Sequence, residues 1–180
     1  MKFKFLIIII TLLNILIPMK SSAEILNNAK FQNLSIDEGL SDEYVTTIFQ
    51  DIKGYMWIGT KDGLNRYDGK TMKIYNCNAE EEKSLSSTYI TDIEQDSNGN
   101  IWIGTDHGLD FIEADTDKVL RMKDRKDILN LANVKITSLL KSSYNEDIMW
   151  IGTEDGLIKC DVKRGTMEAF YHEPNNSNSL

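Results

Sequence analysis

Histidine, cysteine and proline are nearly absent from this chain, with two of each in 180 residues. His107, His172, Cys77 and Cys160 follow no spacing that a zinc site uses, and the expected metal and cofactor complement is none. No serine or cysteine stands at a set offset from either histidine, so a nucleophile and base pair has no basis, and no catalytic residue is assigned. The glycines recur at turns and none opens a helix, which excludes a phosphate-cradling loop. Positive charge is also scarce, with 20 Lys and Arg against 28 Asp and Glu. A surface of that balance repels nucleic acid backbones and anionic headgroups, so neither is expected as a direct partner. Only residues 5–17 form a long apolar run, and a membrane helix needs about 20 such residues.

That run has the plan of an export signal. Lys2 and Lys4 precede it, Pro18 ends it, and Ser21-Ser22-Ala23 supplies small residues for cleavage. Residues 1–23 are therefore expected to be a signal peptide, with an uncleaved anchor as the alternative. Cleavage leaves 17 basic against 28 acidic residues, a charge of −11. An exported protein could pair its two cysteines. Cys77 lies 20 residues after its nearest preceding Trp and Cys160 lies 10 after its own, so the two are not equivalent and a disulfide is not expected.

What the chain does contain is one phrase written three times. Trp57-Ile58-Gly59-Thr60-Lys61-Asp62-Gly63-Leu64 returns as Trp102-Ile103-Gly104-Thr105-Asp106-His107-Gly108-Leu109, then as Trp150-Ile151-Gly152-Thr153-Glu154-Asp155-Gly156-Leu157. The tryptophans are 45 and 48 residues apart, the length of a four-stranded propeller blade. In the second unit, residues 90–95 alternate as a first strand and Asp96-Ser97-Asn98-Gly99 makes a turn. Residues 101–105 read as a second strand buried on both faces, where Gly104 permits close approach of a neighbouring backbone. A turn at Asp106-His107-Gly108 leads to a third strand, residues 109–112. The first unit adds residues 64–67 and a fourth, edge strand at residues 72–75, blunted by Lys73. The third unit is looser: residues 136–140 stand for its first strand, its Asp-x-x-Gly turn is lost, and residues 123–133 admit a helical turn. The expected class is all-β, about three four-stranded antiparallel propeller blades in an incomplete ring.

The borders follow from the same alignment. Residues 24–39 are a lead-in segment whose Phe31-Gln32-Asn33-Leu34 resembles the last strand of a blade, of the kind that closes a ring. Three repeats then occupy about 40–84, 85–131 and 132–180, and Leu180 matches Leu85. Three blades are too few for a ring of roughly four to eight, so the expectation is an N-terminal portion of a longer polypeptide. The alternative is a complete small protein closing by self-association.

Each tryptophan sits in an apolar strand at every repeat, so it is expected to be core, its N–H reaching a backbone acceptor, rather than a sugar-stacking face. Asp96-x-Asn98-x-Asn100 lacks the glycine and distal glutamate of a calcium loop. In a four-stranded meander the second turn and the inter-blade loop share one end of the sheet. Lys61, Asp62, Asp106, His107, Glu154 and Asp155 are therefore the candidate ligand-face residues.

The pattern from Leu40-Ser41 through Val45, Ile48, Asp51, Gly54 and Trp57-Ile58-Gly59-Thr60 to Gly63-Leu64 and Tyr67 resembles the two-component regulator propeller repeat. The second unit matches from Leu85 to Leu109, with Ile112 in place of the tyrosine, and the third keeps the core from Trp150 to Leu157. The resemblance implies an exported, non-catalytic, ligand-sensing propeller of a receptor, with oligosaccharide as ligand. Its expected partners are the remaining blades and membrane signalling region of a longer parent chain, and a second copy in a homodimer. A histidine kinase or diguanylate cyclase output is implied for that parent, although these 180 residues carry no such motif. The competing readings are a secreted propeller enzyme acting on polysaccharide and an adhesion or scaffold propeller.

Overall fold

The computed structural model describes residues 31–78, 84–121, 131, 133–176 and 179. Residues 34–180 form one compact unit; of the other, residues 1–33, only 31–33 are described, and they lie in no strand. The signal segment, most of residues 123–133 and Leu180 lie outside the described residues.

A single 3₁₀ turn, Ile36–Glu38, opens the unit, and no α-helix occurs among the described residues. Ser35 caps it while Glu38 reaches back to the Ser35 N–H, a reciprocal box that spends two otherwise orphaned donors. Among the described residues twelve strands follow, in three meanders. The first blade is β1 (Val45–Gln50), β2 (Met56–Thr60), β3 (Gly63–Tyr67) and β4 (Met72–Tyr75). The second is β5 (Ile90–Gln95), β6 (Ile101–Thr105), β7 (Gly108–Ile112) and β8 (Val119–Arg121), and the third is β9 (Ile136–Lys141), β10 (Ile148–Thr153), β11 (Gly156–Asp161) and β12 (Thr166–Tyr171). Each blade is an antiparallel sheet with its strands in chain order. Two-residue turns join the second and third strands of each, so register follows directly from turn position.

The three first strands share an irregularity. Pairing slips at Val45/Thr47, at Ile90/Asp92 and between Ser138 and Ile136, leaving Thr46, Thr91 and Thr137 as the extra residue each time. Such a bulge bends and twists the strand, and these first strands lie beside one another from blade to blade, Asp92 accepting from both Thr47 Oγ1 and the Leu139 N–H.

Blades stack through alternate side chains. Trp57, Leu64 and Tyr75 of the first blade pack on Ile93, Ile101, Ile103 and Ile112 of the second. Trp102, Leu109 and Phe111 repeat that contact on Leu139, Met149, Ile151 and Ile158 of the third. Leu85 and Leu131, at the first and last positions of the second repeat, seal the two layers. Gly104 gives room as expected, although its neighbour is a side chain and not a backbone: a Cβ there would meet Ile136 Cγ2 at 2.8 Å, and one at Gly59 would meet Ile90 Cγ2 at 2.7 Å.

The tryptophans are core, with a correction to their partner. Trp57 Nε1 donates to Asp51 Oδ2 at 2.8 Å and Trp102 Nε1 to Asp96 Oδ2 at 2.9 Å, so the acceptor is a carboxylate and not the backbone. The same carboxylates hold the turn, Asp51 through the N–H groups of Lys53 and Tyr55, Asp96 through those of Asn98 and Asn100. Both aspartates are buried, and a buried carboxylate persists where its lone pairs are taken. Trp150 has no carboxylate six residues upstream, where Tyr144 stands.

Lys73 differs from its expected role too. It pairs with Asp117 of the second blade, which also takes Arg66 Nη1 at 2.8 Å and the Tyr75 hydroxyl at 2.7 Å. The edge charge thus belongs to a seam between blades. A second seam residue is Arg121, which donates to Ser84 O at 2.7 Å and Leu85 O at 3.1 Å and so fastens β8 to the inter-blade loop.

Candidate functional site

The candidate residues occupy the turns between the second and third strands, all at one end of the blade stack. Each turn is built by the threonine that ends Trp-Ile-Gly-Thr. Thr60, Thr105 and Thr153 donate through Oγ1 to the carbonyls of Gly63, Gly108 and Gly156, each at 2.9 Å. The same oxygens accept from the N–H groups of Asp62, His107 and Asp155. A hydroxyl that donates and accepts across a tight turn holds its tip rigidly. The threonines were readable in the repeat, since they recur with the glycines, but no role followed from spacing alone.

Inter-blade loops meet these turns at the same end, as the meander requires. The Gly63 N–H donates to Thr88 O at 2.8 Å, and the Asn133 N–H donates to His107 O at 3.2 Å. Ser41 and Ser86 hold the loops from below. Ser41 N–H donates to Asn65 Oδ1 and Ser86 N–H to Asp110 Oδ2, with Asn65 and Asp110 at the same register position, buried in their blades. In the third blade that position is Ile158, which packs in the apolar core.

The six candidates divide into four groups. Lys61 places its ammonium 3.5 Å from the centre of the Tyr44 ring, a cation–π contact at an exposed tip. Asp106 and His107 pair with each other, Oδ1 to Nδ1 at 2.8 Å. Glu154 takes Lys135 Nζ at 2.9 Å. Glu154 is therefore held by a lysine that sequence reasoning had passed over. Asp62 and Asp155 are fixed through their backbone N–H groups.

Tyr44, Tyr89 and Lys135 occupy one position, immediately before each first strand, so an aromatic, an aromatic and a cation line successive blades. Partial burial works against the charged form of Asp106, yet the neighbouring His107 and Ser87 side chains outweigh it and hold the carboxyl below its usual range. The Glu154 carboxylate keeps Lys135 protonated to a higher pH than usual. Both groups are charged at neutral pH, so this end offers alternating charges and tyrosine faces suited to binding a polar ligand. No cluster of metal-ligating side chains occurs among the described residues.

Three stacked four-stranded antiparallel meanders, bulged on their innermost strands, define a run of β-propeller blades. Residues 39–62 and 84–107, in the first two blades, match the family described as two component regulator propeller. A 58-residue stretch is 45% identical to a histidine kinase, P4, of Formosa agariphila, covering 32% of this chain and 4% of that protein. In structure the chain is similar to the extracellular domain of a hybrid two component system from B. thetaiotaomicron, with a TM-score of 0.67 and 25% identity, over 78% of this chain and 20% of that one. The extracellular domain of a one component system from the same organism gives a TM-score of 0.63 at 20% identity, over 79% and 18%. The chain thus spans a fifth or less of each of these three proteins. No helix among the described residues is long and apolar enough to cross a membrane.

Proposed function

We propose that the chain is a non-catalytic ligand-sensing propeller segment of a two-component-type receptor, exported to the outer side of the cytoplasmic membrane. The observation that carries this reading is the pair of family repeats joined to a fold like that of extracellular sensor domains. Its ligand is a soluble oligosaccharide held by the turn end, where Tyr44 and Tyr89 offer ring faces and Lys61, His107 and Lys135 offer donors to hydroxyl groups. Binding shifts the arrangement of two receptor copies, and a membrane region transmits the change to the output domain.

Two measurements test it. Fractionation of the native host with an antibody to residues 40–120 should place the protein on a membrane, exposed to the outer side; recovery from the medium alone would sink the receptor reading. A panel of oligosaccharides should include one that raises the Tm of the exported chain, because a ligand bound only by the folded state stabilises it. Lys61→Ala with His107→Ala should remove that shift. Shortening of the glycan during incubation would favour a polysaccharide-degrading enzyme, and no shift with any glycan would end the carbohydrate proposal.

A further inference from the structure

The first turn of the second blade carries the dipeptide Asn98-Gly99, and asparagine followed by glycine occurs nowhere else in the sequence. Asparagine is among the residues that fail chemically in water, because the backbone nitrogen of the next residue can attack its side-chain carbonyl carbon. Glycine in that next place removes the steric shield, having no Cβ to obstruct the approach. Asn98 is exposed at the tip of the turn. The equivalent position, four residues before each tryptophan, is Lys53 in the first blade and Glu146 in the third, and neither side chain is an amide.

The fold holds the attacking nitrogen back. The Gly99 N–H donates to Asp96 O at 3.1 Å, and the Gly99 carbonyl accepts from Gln95 Nε2 at 3.0 Å, so the glycine is fixed on both sides. Asp96 Oδ1 takes the Asn98 N–H at 2.9 Å, the Asp96 N–H donates to Asn100 O at 3.0 Å, and Asn100 Oδ1 takes the Ala114 N–H at 3.1 Å. Gly99 is itself buried, with a φ of 87°. To react, its nitrogen must lose the proton now shared with Asp96 O and swing onto Asn98 Cγ. That requires the turn to open locally. A labile amide therefore faces water while the nitrogen that would attack it stays locked.

We infer that Asn98 is a modification site, converted by the chain's own backbone to aspartate and isoaspartate when this turn opens, and that the Asp96 clamp sets the rate. The Gly99 nitrogen forms a bond to Asn98 Cγ and the Cγ–Nδ2 bond breaks. The side-chain nitrogen leaves as ammonia, taking the proton that Gly99 gives up. Water then opens the cyclic imide. Attack at the side-chain carbonyl leaves aspartate, and attack at the backbone carbonyl leaves isoaspartate. Either product disturbs the clamp. The first sets a new carboxylate beside buried Asp96, and the second lengthens the turn backbone by a methylene, which carries the Gly99 N–H away from Asp96 O. The inference is independent of the sensing role and of the turn-end ligand.

Peptide mapping of the purified full chain by mass spectrometry, after incubation at mildly alkaline pH, tests this, with isoaspartate detected by enzymatic methylation. The fragment containing Asn98 should gain one mass unit, an amide NH2 exchanged for OH, as ammonia is released. In guanidinium chloride the gain should come more than about tenfold faster than in the folded chain, the factor set by about 1.4 kcal/mol of turn opening. Asp96→Ala should raise the rate in buffer about fivefold or more. Gly59→Ala, which strains the first blade and leaves this turn intact, should not change it. Asn98→Gln should abolish the gain, because the longer side chain would have to close a larger ring. Equal rates in buffer and in denaturant would overturn the inference, and this comparison needs no variant to fold. So would an Asn98 that stays unmodified in denaturant. An acceleration by Gly59→Ala equal to that by Asp96→Ala would also overturn it, since that pattern belongs to global unfolding.

Discussion

Replacing Asp96 by alanine isolates what the buried carboxylate contributes. Its two oxygens accept four hydrogen bonds, from the Asn98 and Asn100 N–H groups, from Asn100 Nδ2 and from Trp102 Nε1, each at 2.9 Å. The turn groups are partly exposed and water replaces the lost acceptor there. The indole is buried, with Trp102 at 5% exposure, and an unsatisfied buried donor costs about 1–3 kcal/mol. Adding about 1 kcal/mol for the loosened turn gives a loss of about 3 kcal/mol for Asp96→Ala. At roughly 2–4 °C per kcal/mol for a domain of this size, Tm falls by about 6–12 °C. Asp96→Asn should cost less, because Oδ1 still serves the turn while an amide N–H faces the indole N–H. Urea unfolding followed by tryptophan emission reads both, and the chain supplies its own control. Tyr144, six residues before Trp150, is fully exposed, so Tyr144→Ala should stay within about 0.5 kcal/mol of wild type. If Asp96→Ala proved as mild as Tyr144→Ala, the carboxylate clamp would be incidental and the reasoning wrong.

Gly59→Ala should destabilise by about 1–3 kcal/mol, the usual range for overpacking, because its Cβ would lie 2.7 Å from both Ile90 Cγ2 and Thr47 Cγ2; calorimetry showing an unchanged Tm would refute the close blade contact. Asp117→Asn tests the seam through pH. Burial works against the Asp117 carboxylate, yet hydrogen bonds from Lys73 and Tyr75 and the charges of Arg66 and Lys73 hold its folded pKa below the unfolded value. A lowered folded pKa means stability that is present above the unfolded value, about 3.9, and lost as pH falls through the folded one. The wild-type advantage over Asp117→Asn should therefore be full at neutral pH and shrink below about pH 4; an advantage unchanged at low pH would deny the ion pair its role.

The strands were legible because hairpins with two-residue turns tie register to turn position. Residues 90–95, 101–105 and 72–75 coincide with β5, β6 and β4. The candidate turns also fell at one end of the stack, since that follows from meander topology alone. The acceptor of the tryptophan N–H was missed although Asp51 and Asp96 each stand six residues upstream of an indole. Sequence showed those residues as turn formers, and only the folded hairpin brings a turn carboxylate back over the strand that follows. Lys135 was missed for a different reason. It takes the place of Tyr44 and Tyr89 in a unit whose upstream half no longer matches the others, so its partnership with Glu154 could not be seen as a repeat feature.

A blade whose indole is answered six residues upstream is chemically self-sufficient. A gene segment encoding it can be duplicated as a block without stranding a buried donor in the new copy. The seams do not travel in this way. Arg66, Lys73 and Tyr75 converge on Asp117 at the first junction, whereas Ser97 meets Asp147 at the second. Every duplication therefore inherits a working interior and an unmatched border.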